Sequence, residues 1–210
     1  MKPIATGYVF SIMNAIMAMS KNRCIGKDGK LPWPSIKKDF QWFKEFTLNK
    51  SIVIGRKTYE TLPILKHRTI WVLSNSIKEG AGALCATSTM YHYVPLDKLH
   101  IIPQDAIVAG GKSTYNLCMP NIKEFYVTII DKEYEGDTYM FEFEHLFNKY
   151  EVIKEFDNCK VIRYYDRPET VKCYVCGWNG NKSECKIVKH EIPDVPSWVS
   201  YFCPNCLFRW

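Results

Sequence analysis

The sequence predicts an α/β fold, a mainly parallel central sheet with helices on both faces, followed by a small C-terminal module. Three observations carry that expectation. Short apolar runs of strand length alternate with stretches of helical spacing through most of the chain. The last two strand-like runs flank Asp157-Asn158, which reads as a hairpin turn. Past Arg167-Pro168 the helical periodicity stops and cysteine becomes frequent.

In chain order, Asn14–Met19 reads as a buried strand, and Ser20–Pro34, with Gly26, Gly29, Pro32 and Pro34, as a long loop. Ser35 is the candidate N-cap of a helix through about Thr47, with Ile36, Phe40, Phe43 and Leu48 at helical spacing. Ser51–Gly55 is a strand, Lys57–Leu62 a short helix and Thr69–Leu73 another strand. Ala83–Ala86 is a weak strand, Leu96–Ile101 a short helix and Ala106–Ala109 a buried strand. Gly110-Gly111 then opens a helix across Ser113–Cys118, and Glu124–Ile130 is a strong strand. Tyr150–Phe156 and Cys159–Tyr165 form the closing hairpin. The expected domains are an extension at residues 1–12, a main domain at 13–168 and a module at 169–210.

Of 210 residues, 47% are hydrophobic and 24% charged, enough apolar mass for a proper core. The net charge of +6 suits a nucleic-acid binder and an enzyme for anionic substrates equally well. No run approaches the roughly 18 apolar residues of a membrane-spanning helix. Met1–Ile12 lacks the apolar stretch of a secretory signal. Nine cysteines is an odd number, and four of them form two C-x-x-C pairs. That pattern points to a reducing, cytoplasmic setting and a metal site rather than a disulfide framework.

The two pairs are Cys173/Cys176 and Cys203/Cys206, with 26 residues between them. Four thiolates in two such pairs suit one tetrahedral structural zinc, so a zinc-ribbon-like pair of hairpins is expected. Cys185 and His190 lie between the pairs and read as non-ligands, although either could replace a cysteine. From residue 169 on there are five basic and four acidic residues, which gives no basic stripe. Nucleic-acid binding is therefore disfavoured. The aromatic residues Trp178, Trp198, Tyr201, Phe202, Phe208 and Trp210 read instead as a mini-core docked on the main domain. A protein partner for the module stays open.

Four stretches, in order and spacing, resemble dihydrofolate reductase over roughly residues 13–167. They are Cys24-Ile25-Gly26 with Leu31-Pro32-Trp33; Asp39 with Trp42-Phe43-Lys44 and Thr47; Ile54-Gly55-Arg56-Lys57-Thr58-Tyr59-Glu60; and Ala109-Gly110-Gly111 with Tyr115, Thr128 and Glu135-Gly136-Asp137-Thr138. The resemblance implies reduction of dihydrofolate by hydride transfer from NADPH, in support of one-carbon and thymidylate metabolism. It implies that Asp39 holds the pterin and promotes its protonation through water, with Thr128 bonded to that pair and Trp33 ordering the water. Taken alone, Asp39 reads equally as a solvated carboxylate at a helix start. In an apolar cleft its pKa should be raised.

By the same resemblance Leu31, Phe43, Ile16 and Ala109 pack around the substrate, and Leu62 and Leu65 line the benzoyl pocket. Arg68, six residues before Ser74, matches the arginine that grips the glutamate-tail carboxylate. On the cofactor side stand Gly55-Arg56-Lys57-Thr58, with Arg56 and Lys57 facing the 2′-phosphate, and the run from Gly110 through Gly111, Lys112, Ser113 and Thr114 at the pyrophosphate. Ala18, Ile25 and Tyr115 fall near the nicotinamide, Gly26 and Thr138 also touch the cofactor, and Ser74 and Asn75 lie near the adenine-side phosphate. Two departures stand out. One extra residue separates Trp33 from Asp39 relative to the common bacterial pattern, and Lys112 stands where a third glycine is usual. A reductase of riboflavin biosynthesis shares the fold and the cofactor but not the Trp33–Asp39–Phe43 set. A non-catalytic binding or structural protein of the same fold would have no need to retain Asp39, Arg56, Thr58 and Thr128 together.

Overall fold

The computed structural model describes residues 13–75, 80–81, 89–96, 98–167, 170–172, 179–181, 186–192, 195–202 and 205. Residues 1–12, the strand expected at 83–86 and the four cysteines of the C-x-x-C pairs lie outside them. The chain divides into two compact units. One is Ser11–Arg167, and the described residues after Arg167 belong to the other.

The larger unit holds one nine-stranded sheet. Its strands are β1 (Met13–Ser20), β3 (Ser51–Gly55), β4 (Thr69–Leu73), β5 (Gly80–Ala81), β6 (Met90–Val94), β7 (Ile107–Val108), β8 (Ile122–Ile130), β10 (Lys149–Phe156) and β11 (Cys159–Tyr165). The order across it is β10-β11-β8-β1-β7-β3-β4-β6-β5. Pairings are parallel from β8 through β1, β7, β3 and β4 to β6, and antiparallel at both edges. Three α-helices are described, α1 (Lys37–Thr47), α2 (Arg56–Thr61) and α3 (Lys112–Cys118).

Side chains two apart on a strand share a face. Ile52 and Ile54 of β3, Ile70 and Val72 of β4, Ile16 and Ile107 accordingly form one buried cluster. Trp42, Phe43 and Phe46 of α1 pack on it. Adjacent residues of β8 face opposite ways: Tyr126 meets Phe46 of α1, while Phe125 meets Tyr115 of α3. Helices therefore cover both faces.

Several elements depart from the sequence expectation. Ser35 does not cap α1: the N-cap position is Ile36, without a side-chain bond, one residue past the expected place. Phe40 and Leu48, expected on the apolar face, are exposed, and the buried residues of α1 are Asp39 and Thr47. The helix expected at Leu96–Ile101 is a single 3-10 turn, Leu99–Ile101, because Ile102 before Pro103 is extended. Strand β6, with the sequence MYHYV, was not anticipated. The loop after β1 is not wholly irregular: β2 (Cys24–Gly26) pairs with β9 (Thr138–Tyr139). Their approach needs glycine at 136, where an added Cβ would lie 2.3 Å from the Gly26 carbonyl oxygen.

Beyond Arg167, β12 (Thr170–Lys172) pairs antiparallel with β13 (Asn179–Asn181), and β14 (Lys186–Ile192) with β15 (Val195–Phe202).

Candidate active site

The parallel strands deliver their C-terminal ends to one edge of the sheet, where open α/β folds place their ligands. Asp39 reaches this region from the first turn of α1 and is only 7% exposed. Thr128, on β8 opposite Ala18 of β1, is 1% exposed. Burial raises the Asp39 pKa above the ordinary carboxylate range, and a hydrogen bond with the Thr128 side chain opposes that shift without cancelling it.

Beside them lies Trp33, buried with Ile130 and Cys159, with Ala18, Ile36, Tyr134 and Phe156 packed around. The Trp33 indole N–H is buried and has no acceptor among the described residues. Burial, with Asp39 and Asp131 nearby, pushes the Cys159 thiol up to about 11. Phe43 packs with Leu62 and Leu65 on the Ile16 cluster, and Ala109 joins the same face. Leu62 and Leu65 also line a cleft of about 230 Å³ with Ile54, Tyr59, Pro63 and Ile64. Leu31 is 43% exposed, so its own chain does not cover it.

Arg68 is 6% exposed. Its Nε donates to Thr47 Oγ1 at 3.1 Å, Nη1 to the Lys66 carbonyl at 2.6 Å and Nη2 to the Lys44 carbonyl at 2.9 Å. A guanidinium has five N–H groups, so two remain for another acceptor. Burial lowers its pKa, and among the described residues no carboxylate forms an ion pair with it.

A second constellation forms where β3 turns into α2 and β7 into α3. The Gly55 N–H donates to the Gly110 carbonyl at 2.7 Å. An added Cβ at Gly55 would lie 2.8 Å from Thr114 Oγ1, and one at Gly111 3.0 Å from Thr58 Oγ1. Gly110 has φ +121°, a conformation that favours glycine, and is joined to Gly111 by a cis peptide bond. The residues singled out in two separate stretches thus share one place. Lys57, Lys112 and Ser113 are exposed there. Arg56 forms an ion pair with Glu60, 2.6 Å away. Buried Tyr115 donates its hydroxyl to the Ile16 carbonyl at 2.7 Å, and burial raises its pKa. Ser74 is buried, and Asn75 accepts from the Leu96 N–H at 3.1 Å. Ile25 and Gly26 lie on β2, with Thr138 paired to Gly26.

Residues 12–165 match the model of the dihydrofolate reductase family. The chain belongs to the dihydrofolate reductase family. Its relatives include the type 8 dihydrofolate reductase of Escherichia coli, 34% identical over 134 residues, covering 61% of this chain and 79% of that protein. The dihydrofolate reductase of Enterococcus faecium is 34% identical over 149 residues, covering 68% and 84%. The solved dihydrofolate reductase of Enterococcus faecalis, in complex with NADP(H) and RAB-propyl, superposes with a TM-score of 0.58 at 25% identity. It covers 75% of this chain and 98% of that one. The match decides between the two reductase readings in favour of dihydrofolate reductase over the riboflavin-pathway enzyme. The family match ends before the C-terminal module. Among the described residues no group of side chains could hold a metal and no helix is long and apolar enough to cross a membrane.

Sequence reasoning missed Asn22, Arg23 and Tyr134, which tie the loop after β1 to the segment after β8. Arg23 forms a two-pronged ion pair with Glu144 at 2.8 Å. No local pattern announces contacts over more than 100 residues.

The raised pKa of Asp39 has a consequence for stability. The native state binds this proton more tightly than the unfolded chain, so Asp39 favours folding most at low pH and loses that contribution as pH rises through its native pKa. Asp39→Asn should therefore melt higher than the parent at neutral pH, with the gap narrowing in acid. Melting curves across that pH range would test this, and a lower melting temperature at neutral pH would contradict it.

Proposed function

We propose that this chain reduces 7,8-dihydrofolate to 5,6,7,8-tetrahydrofolate with NADPH. The observation that carries the reading is Asp39, a buried carboxylate bonded to the Thr128 side chain in a member of the dihydrofolate reductase family. When bound, NADPH supplies the hydride for the pterin ring.

The chain's own residues supply position and a proton. Asp39 accepts paired hydrogen bonds from the pterin amine and ring nitrogen, and Thr128 holds that carboxylate. Its raised pKa lets it favour protonation of the ring nitrogen at neutral pH, through a water that the unspent Trp33 N–H can hold. Leu31, Ile16, Phe43 and Ala109 flank the rings, and Leu62 and Leu65 border the benzoyl group. The two uncommitted N–H groups of Arg68 suit a two-pronged grip on a tail carboxylate.

The residues present fit the cofactor. At Gly55, Gly110 and Gly111 the absence of side chains lets two backbone turns close on one another, a setting in which backbone N–H groups can face phosphate. Thr58, Lys112, Ser113 and Thr114 complete that place, Arg56 and Lys57 face the 2′-phosphate, and Ser74 and Asn75 the adenine side. Ala18, Ile25 and Tyr115 fall on the nicotinamide side, and Gly26 and Thr138 complete the cofactor's surroundings.

Asp39→Asn should lose most dihydrofolate reduction at neutral pH and recover in part at acid pH, where the substrate is already protonated. An NADPH-oxidation assay reads this, and near-parental turnover at neutral pH would remove Asp39 from the mechanism. NADPH should outperform NADH, and Arg56→Ala should narrow that preference through cofactor affinity. The expected loss is roughly ten- to a hundredfold, the worth of one charge-assisted contact, reduced by whatever Arg56 already gains from Glu60. Equal use of both cofactors by the parent enzyme would overturn the assignment.

For the module at 169–210 the reading is one zinc per chain, held by Cys173, Cys176, Cys203 and Cys206. Its support is the frame around them: β12 and β13 flank residues 173–178, and β15 ends at Phe202, next to Cys203. A segment of about 40 residues is too small to rely on its own core. Metal analysis of protein purified without chelators should find one zinc per chain, and its absence would overturn the site.

A further inference from the structure

We infer that Asn22 and Tyr134 are positioning residues for Trp33, the side-chain amide of Asn22 fixing the segment that orients the indole. The inference rests on the roles given above to Asp39 and Trp33.

The parallel pairing of β1 with β8 ends at Ser20 opposite Ile130. One further backbone bond follows, from the Lys21 N–H to the Lys132 carbonyl at 3.2 Å. The backbone then turns away through Arg23, which has φ 65°. At this point the Asn22 side chain takes over the work of a strand. Its Nδ2 donates to the Tyr134 carbonyl at 3.0 Å, and its Oδ1 accepts from the Tyr134 N–H at 3.2 Å. The amide thus satisfies both backbone groups of one residue, as a peptide unit of a neighbouring strand would. The Ser20 hydroxyl donates to the same Oδ1 at 2.6 Å and accepts from the Cys24 N–H at 3.0 Å. The Tyr134 N–H can only donate and its carbonyl can only accept, so the amide has a single orientation.

Tyr134, held at both backbone groups, presents its ring to Trp33 edge-on, with centroids 5.9 Å apart and planes at 61°. The other neighbours of Trp33 in this cluster are Ile130, Cys159, Ala18, Ile36 and Phe156. These fill space but, apart from Phe156, offer no ring to set the tilt of an indole. Among the described residues the buried Trp33 N–H has no acceptor, so none of their hydrogen bonds fixes it either. Of the two rings in the cluster, Tyr134 is the one that meets the indole edge-on and is pinned at both backbone groups. Among the charged and titratable groups nearby, the Cys159 thiol beside Asp39 is pushed up to about 11 and stays neutral at the pH values of interest. Lys132 lies over the Tyr134 ring, and Lys21 is paired with Asp131.

The test is single-turnover hydride transfer with NADPH and dihydrofolate at neutral and at mildly acidic pH, with melting curves alongside. Asn22→Ala removes both bonds, and Asn22→Asp keeps the acceptor but sets an oxygen against the Tyr134 carbonyl. Both variants, and Tyr134→Ala, should slow the neutral-pH step by roughly two- to tenfold with KM for dihydrofolate unchanged. The deficit should shrink in acid, where delivery of the proton matters less. Tyr134→Phe keeps the ring and should match the parent. Trp33→Phe serves as the reference. If it slows the step at neutral pH while the Asn22 variants do not, the positioning role is wrong and the reading of Trp33 stands. If Trp33→Phe leaves that step intact, the reading of Trp33 falls and the inference with it. A deficit equal at both pH values, or a change in melting temperature alone, would also overturn the inference.

Discussion

A carboxylate leaves water at a cost, and Asp39 recovers only part of that cost from a single hydroxyl partner, Thr128. The balance falls on the packing around it, which explains the aromatic character of α1. Trp42, Phe43 and Phe46 hold the helix to the sheet between two buried polar positions, Asp39 and Thr47. Thr47 in turn receives a hydrogen bond from the buried guanidinium of Arg68. Asp39 and Thr47 are eight residues apart, which on a helix is about 12 Å of axis. One helical face thus lays out an acidic end and a basic end with an apolar stretch between. On the proposed reading, an elongated ligand with a polar head, an aromatic middle and an anionic tail would find each of its parts matched in order.

The same arrangement explains where the sequence could be read and where it misled. Strands β3 and β4 coincide with the runs expected at Ser51–Gly55 and Thr69–Leu73, because both are apolar and bounded by turn residues. Phe40 and Leu48 have the apolar spacing of α1 yet are exposed, and the buried residues of the helix are Asp39 and Thr47. A pattern of apolar and polar residues fails where a site demands polarity inside. Asp39 by itself had an equally good reading as a surface carboxylate, and its place became clear through the family likeness and then through its burial. Strand β6 escaped notice because Tyr91, His92 and Tyr93 have β propensity without alternating hydrophobicity.

The loop after β1 shows a different limit. Its glycines and prolines announced irregular chain, and they are there. The structure adds what composition could not: a bond from the Asp28 N–H to the Asp137 carboxylate, a short pairing of β2 with β9, and the Arg23 ion pair with Glu144. Each joins residues more than 100 positions apart. Together they give a segment rich in turn residues a defined course across the site, so that Trp33 is buried while Leu31, two residues earlier, faces solvent. The order in this loop is borrowed from the segment after β8.

The two glycine turns have a consequence for anyone redesigning this enzyme. Gly55 is closed in by Thr114, and Gly111 by Thr58, so each turn is shaped by a threonine belonging to the other. The pair behaves like interlocked fingers. Neither backbone can be recontoured alone, and a larger residue at either glycine would have to be matched by a smaller one across the gap. Freedom to retune what is held there therefore resides in the outward-facing neighbours, Arg56, Lys57, Lys112 and Ser113, whose side chains can be exchanged without prising the fingers apart.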